Sequence, residues 1–262
     1  DKIAYVKLTQ FTQETYEDLL DALKDLNQAG QEPNGIILDL RYNPGGLLPA
    51  AVDISNLFVE EGTIVSGEDK KATPVFEMRA VESRAILADV PTIVLINKGS
   101  ASASEIVAGC IQAHDAGIVI GERSYGKGSV QSVHHVGRSG GARFKVTTQY
   151  YRLPSVDGIA PGRLVHRVPG SNDWGVAPDI QIVMTPSQVI DSIKLRQEAD
   201  IIPTDTDGQL LPDSPDRPDE DQLLSDGLDP QLEFALLLLK SQVAADASLR
   251  QASLQPGGST AN

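Results

Sequence analysis

"GERSYGKGSVQ", residues 121–131, follows the apolar run "AGIVI" and opens with the GxxxxGK pattern of a phosphate-binding loop. Whether a helix or a strand comes after Lys127 decides what kind of protein this is. A phosphate loop needs Ser or Thr directly after the lysine to ligate Mg²⁺, and then a helix whose free N-terminal amides face the phosphates. Gly128 follows Lys127 here, and "SVQSVHHV" is Val-rich without a helical period, which reads as a strand. The nucleotide reading fails on both counts, and Lys127 is left for another role.

Outward from this stretch, strands and helices alternate. "IAYVKLTQF" opens the chain as a strand, and "YEDLLDALKDLNQAG" spaces Leu and Ala at helical intervals up to Gly30, a C-terminal glycine. "GIILDL" and "PTIVLIN" read as short buried strands, each followed by a helix, "LLPAAVDISNLFV" and "ASEIVAGCIQAH". "TIVSGED" with "PVFEMRAV", and then "AGIVIGE", "SVQSVHHV" and "ARFKVTTQYYRL", supply further strands. The pattern predicts an α/β fold with extra β-pairs inserted between helices. Residues 203–230, "PTDTDGQLLPDSPDRPDEDQLLSDGLDP", are Pro-rich and acidic, the composition of a solvated linker. "DTDG" within them resembles the start of a Ca²⁺ loop but lacks the later ligand spacing. "PQLEFALLLLKSQVAA" predicts a terminal helix and "QPGGSTAN" a disordered tail. The organisation expected is a core over 1–202, a linker or insertion over 203–230, and a helix with its tail over 231–262.

Composition narrows the function. The chain has 262 residues and a formal net charge of −14, which repels nucleic-acid backbones and anionic membranes. Its single cysteine, Cys110, excludes an internal disulfide and a cysteine-rich metal site. No apolar run approaches the length of a membrane span, and residues 1–20 do not read as a signal peptide. No cofactor or metal is implied.

Three loops that follow buried strands carry the chemistry. In "INKGSASASEIVAG", Ser100, Ser102 and Ser104 alternate with alanines where a strand gives way to a helix, so that amides and the macrodipole favour negative charge developing on an attacked carbonyl. Ser102-x-x-Glu105 is equally a capping box. "LDLRYNPGG" ends a buried strand in a Gly45–Gly46 turn, and Lys127 lies in a glycine-flanked turn of its own. Loops at strand ends are where a rigid scaffold places catalytic groups.

These motifs, "YVKLTQF", "LDLRYNPGGLL", "LINKGSASASEIVAG", "GERSYGKGSVQ" and "GVAPDI" in that order over residues 1–185, resemble the carboxyl-terminal processing proteases, Ser/Lys peptidases of family S41. The resemblance implies a crotonase-like spiral of ββα units and cleavage of polypeptides near their C-termini. It makes Ser102 the nucleophile, Lys127 the general base and Gln131 its orienting residue. It assigns the oxyanion to the amides of Ala103 and of Gly45 or Gly46, and implies an extracytoplasmic location. Relatives usually carry a PDZ domain before the strand that begins here at Ile3, so the chain is expected to be a protease core apart from that domain. The alternative within the fold is a weak or inactive peptide-binding relative.

Residue chemistry adds conditions. A lysine with an ordinary pKa of about 10.4 is protonated at pH 7 and cannot accept a proton from serine. Burial lowers that value, so Lys127 is expected in an apolar pocket covered by Tyr125 and Val130, with Gln131 accepting a hydrogen bond from its amine. A histidine triad is the weaker option. His114, His134, His135 and His166 have no motif around them, and adjacent strand residues such as His134 and His135 point to opposite faces. Cys110 reads as packing, and Asp39 with Arg41 as a structural pair. "QAHDAGIVIG" departs from relatives that carry an acidic residue and an arginine there, having Ala113 and Ala116 instead.

Overall fold

The structure is a computed structural model that describes residues 2–136, 142–155, 162–200 and 227–254, with residues 204, 209, 217, 218, 222 and 224. The "DTDG" motif, most of the acidic segment and the "QPGGSTAN" tail lie outside the described residues.

The runs of Ile, Leu and Val form a parallel sheet in the order β1 (Ile3–Lys7), β2 (Gly35–Asp39), β5 (Thr92–Ile96), β6 (Ile118–Gly121) and β10 (Ile180–Gln181). Every residue of β2 and of β5 is buried, as continuous rather than alternating apolar runs require of strands covered on both faces. Helices α1 (Thr15–Gln28), α2 (Leu48–Asn56) and α3 (Ala103–Ala113) lie between these strands in sequence. Gly30 ends α1 in the left-handed region at φ 68°, where a Cβ is disfavoured.

The inserted pairs form a second, antiparallel sheet in the order β4 (Pro74–Arg79), β3 (Thr63–Asp69), β8 (Ala142–Leu153) and β7 (Ser129–Val136), with β9 (Arg163–Leu164) paired to β8. The α/β architecture with added β-pairs is the one the sequence predicts. Lys127 leads into β7, with no helix after it, which removes the phosphate-loop reading. Ile54, Ile64, Val94, Val107 and Leu153 are fully or almost fully buried in one core between helices and sheets.

The chain divides into two compact units, 1–181 together with 239–262, and 182–238. The second contains α4 (Pro186–Asp200), a helix with no counterpart in the sequence reading, because its charged and apolar residues form no stripe. Helix α5 (Pro230–Leu254) runs longer than the predicted terminal helix. Its Leu239 belongs to the first unit and packs at Gly35, where a Cβ would stand 3.0 Å from Leu239 Cγ.

One buried ion pair braces the parallel sheet where β2 ends. Arg41 donates to both oxygens of the fully buried Asp39, the closest at 2.7 Å, and the Tyr5 hydroxyl donates to Asp39 Oδ2 at 2.7 Å. Burial pushes the Asp39 carboxyl up, but Arg41, Lys7 and Tyr5 outweigh it and hold it down at about 2. Asp39→Asn should destabilise the chain by about 3 kcal/mol, because the buried Arg41 guanidinium loses the Asp39 charge that faces it. A lower urea midpoint at unchanged slope measures this. Because the folded pKa is depressed, the stabilisation is complete above the ordinary value of 3.8 and is lost as pH falls through about 2, so the variants should converge in acid.

Candidate active site

Strands β2, β5 and β6 are neighbours in the parallel sheet, so the loops that follow them meet at one edge. The outer serines of the triplet are structural. Ser100 Oγ donates to Leu40 O at 2.8 Å and accepts from Asn97 N, while Ser104 Oγ donates to Asn43 O at 2.9 Å. Both are buried and lash the serine loop to the loop after β2. Ser102 is the half-buried member, and its backbone has φ 58° and ψ −116° at the head of α3. A non-glycine residue in this region is strained, and a sharp strand-to-helix elbow of this kind lifts a side chain out of the chain path.

The glycine turn lies directly against that elbow. A Cβ on Gly45 would fall 2.7 Å from Ser102 Cβ and 2.9 Å from Ala103 N, and a Cβ on Gly46 would strike Phe11 O at 2.0 Å, so neither position admits a side chain. The two glycines differ in their amides. Gly45 N–H donates to Asn43 Oδ1 at 2.9 Å and is spent, whereas the N–H groups of Gly46 and Ala103 have no acceptor among the described residues. Asn43 is wholly buried and also donates to Leu8 O at 2.8 Å, which fixes the turn.

Glu105 joins the serine elbow to the lysine turn. Its Oε2 accepts Ser102 N and Lys127 N, each at 2.8 Å, and its Oε1 accepts Gly126 N at 2.7 Å and Ser124 Oγ at 2.5 Å. Burial raises the Glu105 pKa above its ordinary value, and these donors pull it the other way. The Tyr151 hydroxyl, reaching in from β8, lies within hydrogen-bonding distance of the carbonyls of both Ser102 and Lys127. The capping-box spacing in the sequence pointed to Glu105. Asn43 and Tyr151 had no such signal, since their roles depend on contacts between distant segments.

Ser102, Ala103, Gly46, Lys127 and Gln131 all line one cavity of about 230 Å³. A register slip in the β7–β8 ladder between Val130 and Gln131 brings both of these adjacent residues against it, where a regular strand would turn one away. The expected burial of Lys127 is corrected, because Lys127 is exposed and Tyr125 is 60% exposed, so neither desolvates the ammonium. Glycines flanking a residue allow close backbone approach but do not cover its side chain. Among the described residues no hydrogen bond joins the Lys127 ammonium to Ser102 or to Gln131, and Gln131 is itself exposed. No histidine lines this cavity. His114 Nε2 pairs with Thr63 O, and His134 stacks on Phe144. Burial pushes the Cys110 thiol up to about 12, so it packs rather than reacts.

Residues 2–182 match the family described as peptidase family S41. The chain belongs to this family. Among S41 relatives, it is 40% identical over 182 residues to the carboxy-terminal-processing protease of Bartonella bacilliformis, covering 69% of this chain and 38% of that one. It is 38% identical over 170 residues to the carboxyl-terminal-processing protease of Synechocystis sp., covering 63% and 38%. The solved photosystem II D1 C-terminal processing protease superimposes with a TM-score of 0.56 at 30% identity, over 79% of this chain and 45% of that one. The chain thus spans less than half the length of these S41 relatives. Among the described residues no helix is long and apolar enough to cross a membrane.

The Glu105 clamp predicts a stability effect that needs no assay of chemistry. In Glu105→Gln one oxygen becomes an NH₂ group facing N–H donors, which should cost about 2–4 kcal/mol. Ser104→Ala, which leaves Asn43 O with one donor fewer, should cost about 1 kcal/mol. Thermal unfolding followed by circular dichroism gives the order.

Proposed function

We propose that this chain is the catalytic core of a serine endopeptidase that cleaves polypeptides near their C-termini. The observation that carries the reading is the strained Ser102 elbow, with two unspent amides and Lys127 lining the same cavity. Ser102 Oγ attacks the scissile carbonyl carbon and passes its proton to the neutral Lys127 amine. The oxyanion is received by Ala103 N–H and Gly46 N–H, while Gly45 shapes the turn. Collapse of the tetrahedral adduct breaks the C–N bond, and the departing amine takes the proton from Lys127. Lys127 then deprotonates a water that attacks the acyl ester, releasing the new carboxyl terminus and restoring Ser102.

In the free chain water reaches Lys127, so the substrate completes the site. A peptide lying across the cavity excludes water, which favours the uncharged amine and brings the amide of Gln131 into use as its orienting acceptor. Such tightening on binding is ordinary for catalytic hydrogen bonds that are open in a free enzyme. The flank of β7 that faces away from β8 has no strand partner among the described residues, and its backbone groups next to the cavity suit an extended peptide. Relatives named as chloroplastic processing peptidases support an extracytoplasmic or lumenal setting for this chain. Substrate selection by a PDZ domain outside this sequence fits the same reading.

The test is incubation with an unfolded protein, followed by mass spectrometry of the products. Ser102→Ala and Lys127→Ala should each stay folded and lose essentially all turnover, without additive effects in the double variant. Ser100→Ala and Ser104→Ala should keep much of it, and an active Ser102→Ala would sink the assignment.

A pH series supplies a separate check. kcat/KM should rise with pH through one ionisation as the base loses its proton, and the profile should stay in place when each histidine is replaced in turn. A profile that moved with one histidine would point to a histidine base.

A further inference from the structure

The cavity beside Ser102 is lined by a second ammonium. Lys145 on β8 pairs with Val133 of β7, two rungs along the ladder from the pair Gln131–Thr147, so Lys145 and Gln131 project from the same face of the hairpin. Lys145 lines the cavity together with Gln131, Lys127 and Ser102. Among the described residues no acidic side chain lines it. On the neighbouring strands Glu68 pairs with Arg152, Asp69 accepts the N–H groups of Lys71 and Thr73, and Glu77 pairs with Arg79, while Glu105 is held by its four donors. Among the described residues the Lys145 ammonium has no ion pair or hydrogen bond, and the residue is exposed. Arg143, two residues along β8 on the same face, is also exposed and continues the positive strip away from the cavity.

In a chain with 36 acidic and 22 basic residues, a cavity with two lysines and no acid among its described lining selects for negative charge on what enters. The two lysines are not equivalent. The backbone of Lys127 is clamped by Glu105 and Tyr151 at the serine elbow, and a carboxylate paired with its amine would keep it protonated and useless as a base. Lys145 stands on β8 with its ammonium exposed and unpaired among the described residues. A carboxylate brought in by the substrate has an alternative partner there, and taking it leaves Lys127 free to accept the serine proton.

We propose that Lys145 is the substrate-carboxylate anchor of this site and sets which peptide bond lies against Ser102. The ligand is a peptide carboxylate close to the scissile bond, either the terminal α-carboxylate or an Asp or Glu side chain. The inference rests on the peptidase reading above for the position of the scissile bond.

The test measures binding on the Ser102→Ala background, so that turnover does not enter. Peptides carrying a neutral dye at the N-terminus are compared in two matched pairs, free C-terminal acid against amide and internal Glu against Gln, by fluorescence anisotropy. The Ser102→Ala protein should prefer the acid member of at least one pair by about fivefold, between an exposed ion pair and a charge-assisted hydrogen bond, and less so as salt is raised. The preference should disappear in Ser102→Ala/K145Q, survive in Ser102→Ala/K145R and turn against the acid member in Ser102→Ala/K145E. The pair that responds identifies the carboxylate. Equal binding of both members in both pairs, or a preference that persists in K145Q, overturns the proposal. Cleaved peptide in the Ser102→Ala samples would instead overturn the Ser/Lys reading, while the affinity ratios would still judge Lys145.

Discussion

Everything at this site depends on a buried carboxylate having enough donors. An isolated ionised Glu in an apolar interior is prohibitively costly, and Glu105 is tolerated because four donors converge on it. Three of those donors are backbone N–H groups from two loops that follow different strands, so one side chain fixes the spacing of the serine elbow and the lysine turn. The parallel sheet sets the loops side by side, and Glu105 fixes their register. Tyr151 then ties the second sheet to the same two residues through their carbonyls. The site is held mainly through main-chain atoms, which leaves the Ser102 and Lys127 side chains available for the proposed chemistry.

The charge distribution follows a related division. Acidic residues over the rest of the chain keep its net charge well away from zero, while among the described residues none lines the cavity beside Ser102. The acid needed to hold the loops is placed behind them, pointing at amides. An acid on the cavity side would pair with the lysine and disable it as a base. The polar architecture therefore separates the group that builds the site from the groups that act in it.

Much of this was legible in the sequence, for identifiable reasons. Continuous apolar runs gave β2, β5 and β6, and the absence of a helical period after Lys127 gave β7. The glycine turn, the serine triplet and the lysine turn announced themselves by composition, and the structure brings all three to one cavity. Three things were out of reach. Helix α4 mixes charge with apolar residues and shows no stripe. The exposure of Lys127 depends on what packs over its turn, which Gly126, Gly128, Tyr125 and Val130 do not specify. The choice between Gly45 and Gly46 depends on where the Asn43 side chain points, a fact of folded geometry that no spacing encodes.

The elbow at Ser102 has an evolutionary consequence. Holding a serine at φ 58° and ψ −116° costs about 1–3 kcal/mol that glycine would largely avoid. If Ser102 is the nucleophile proposed above, stability and chemistry pull this one codon in opposite directions, and the demand for turnover is what keeps the hydroxyl in place. On that reading, a gene copy released from the demand has a downhill path to a sturdier protein with the cavity and its positive strip intact and the hydroxyl gone.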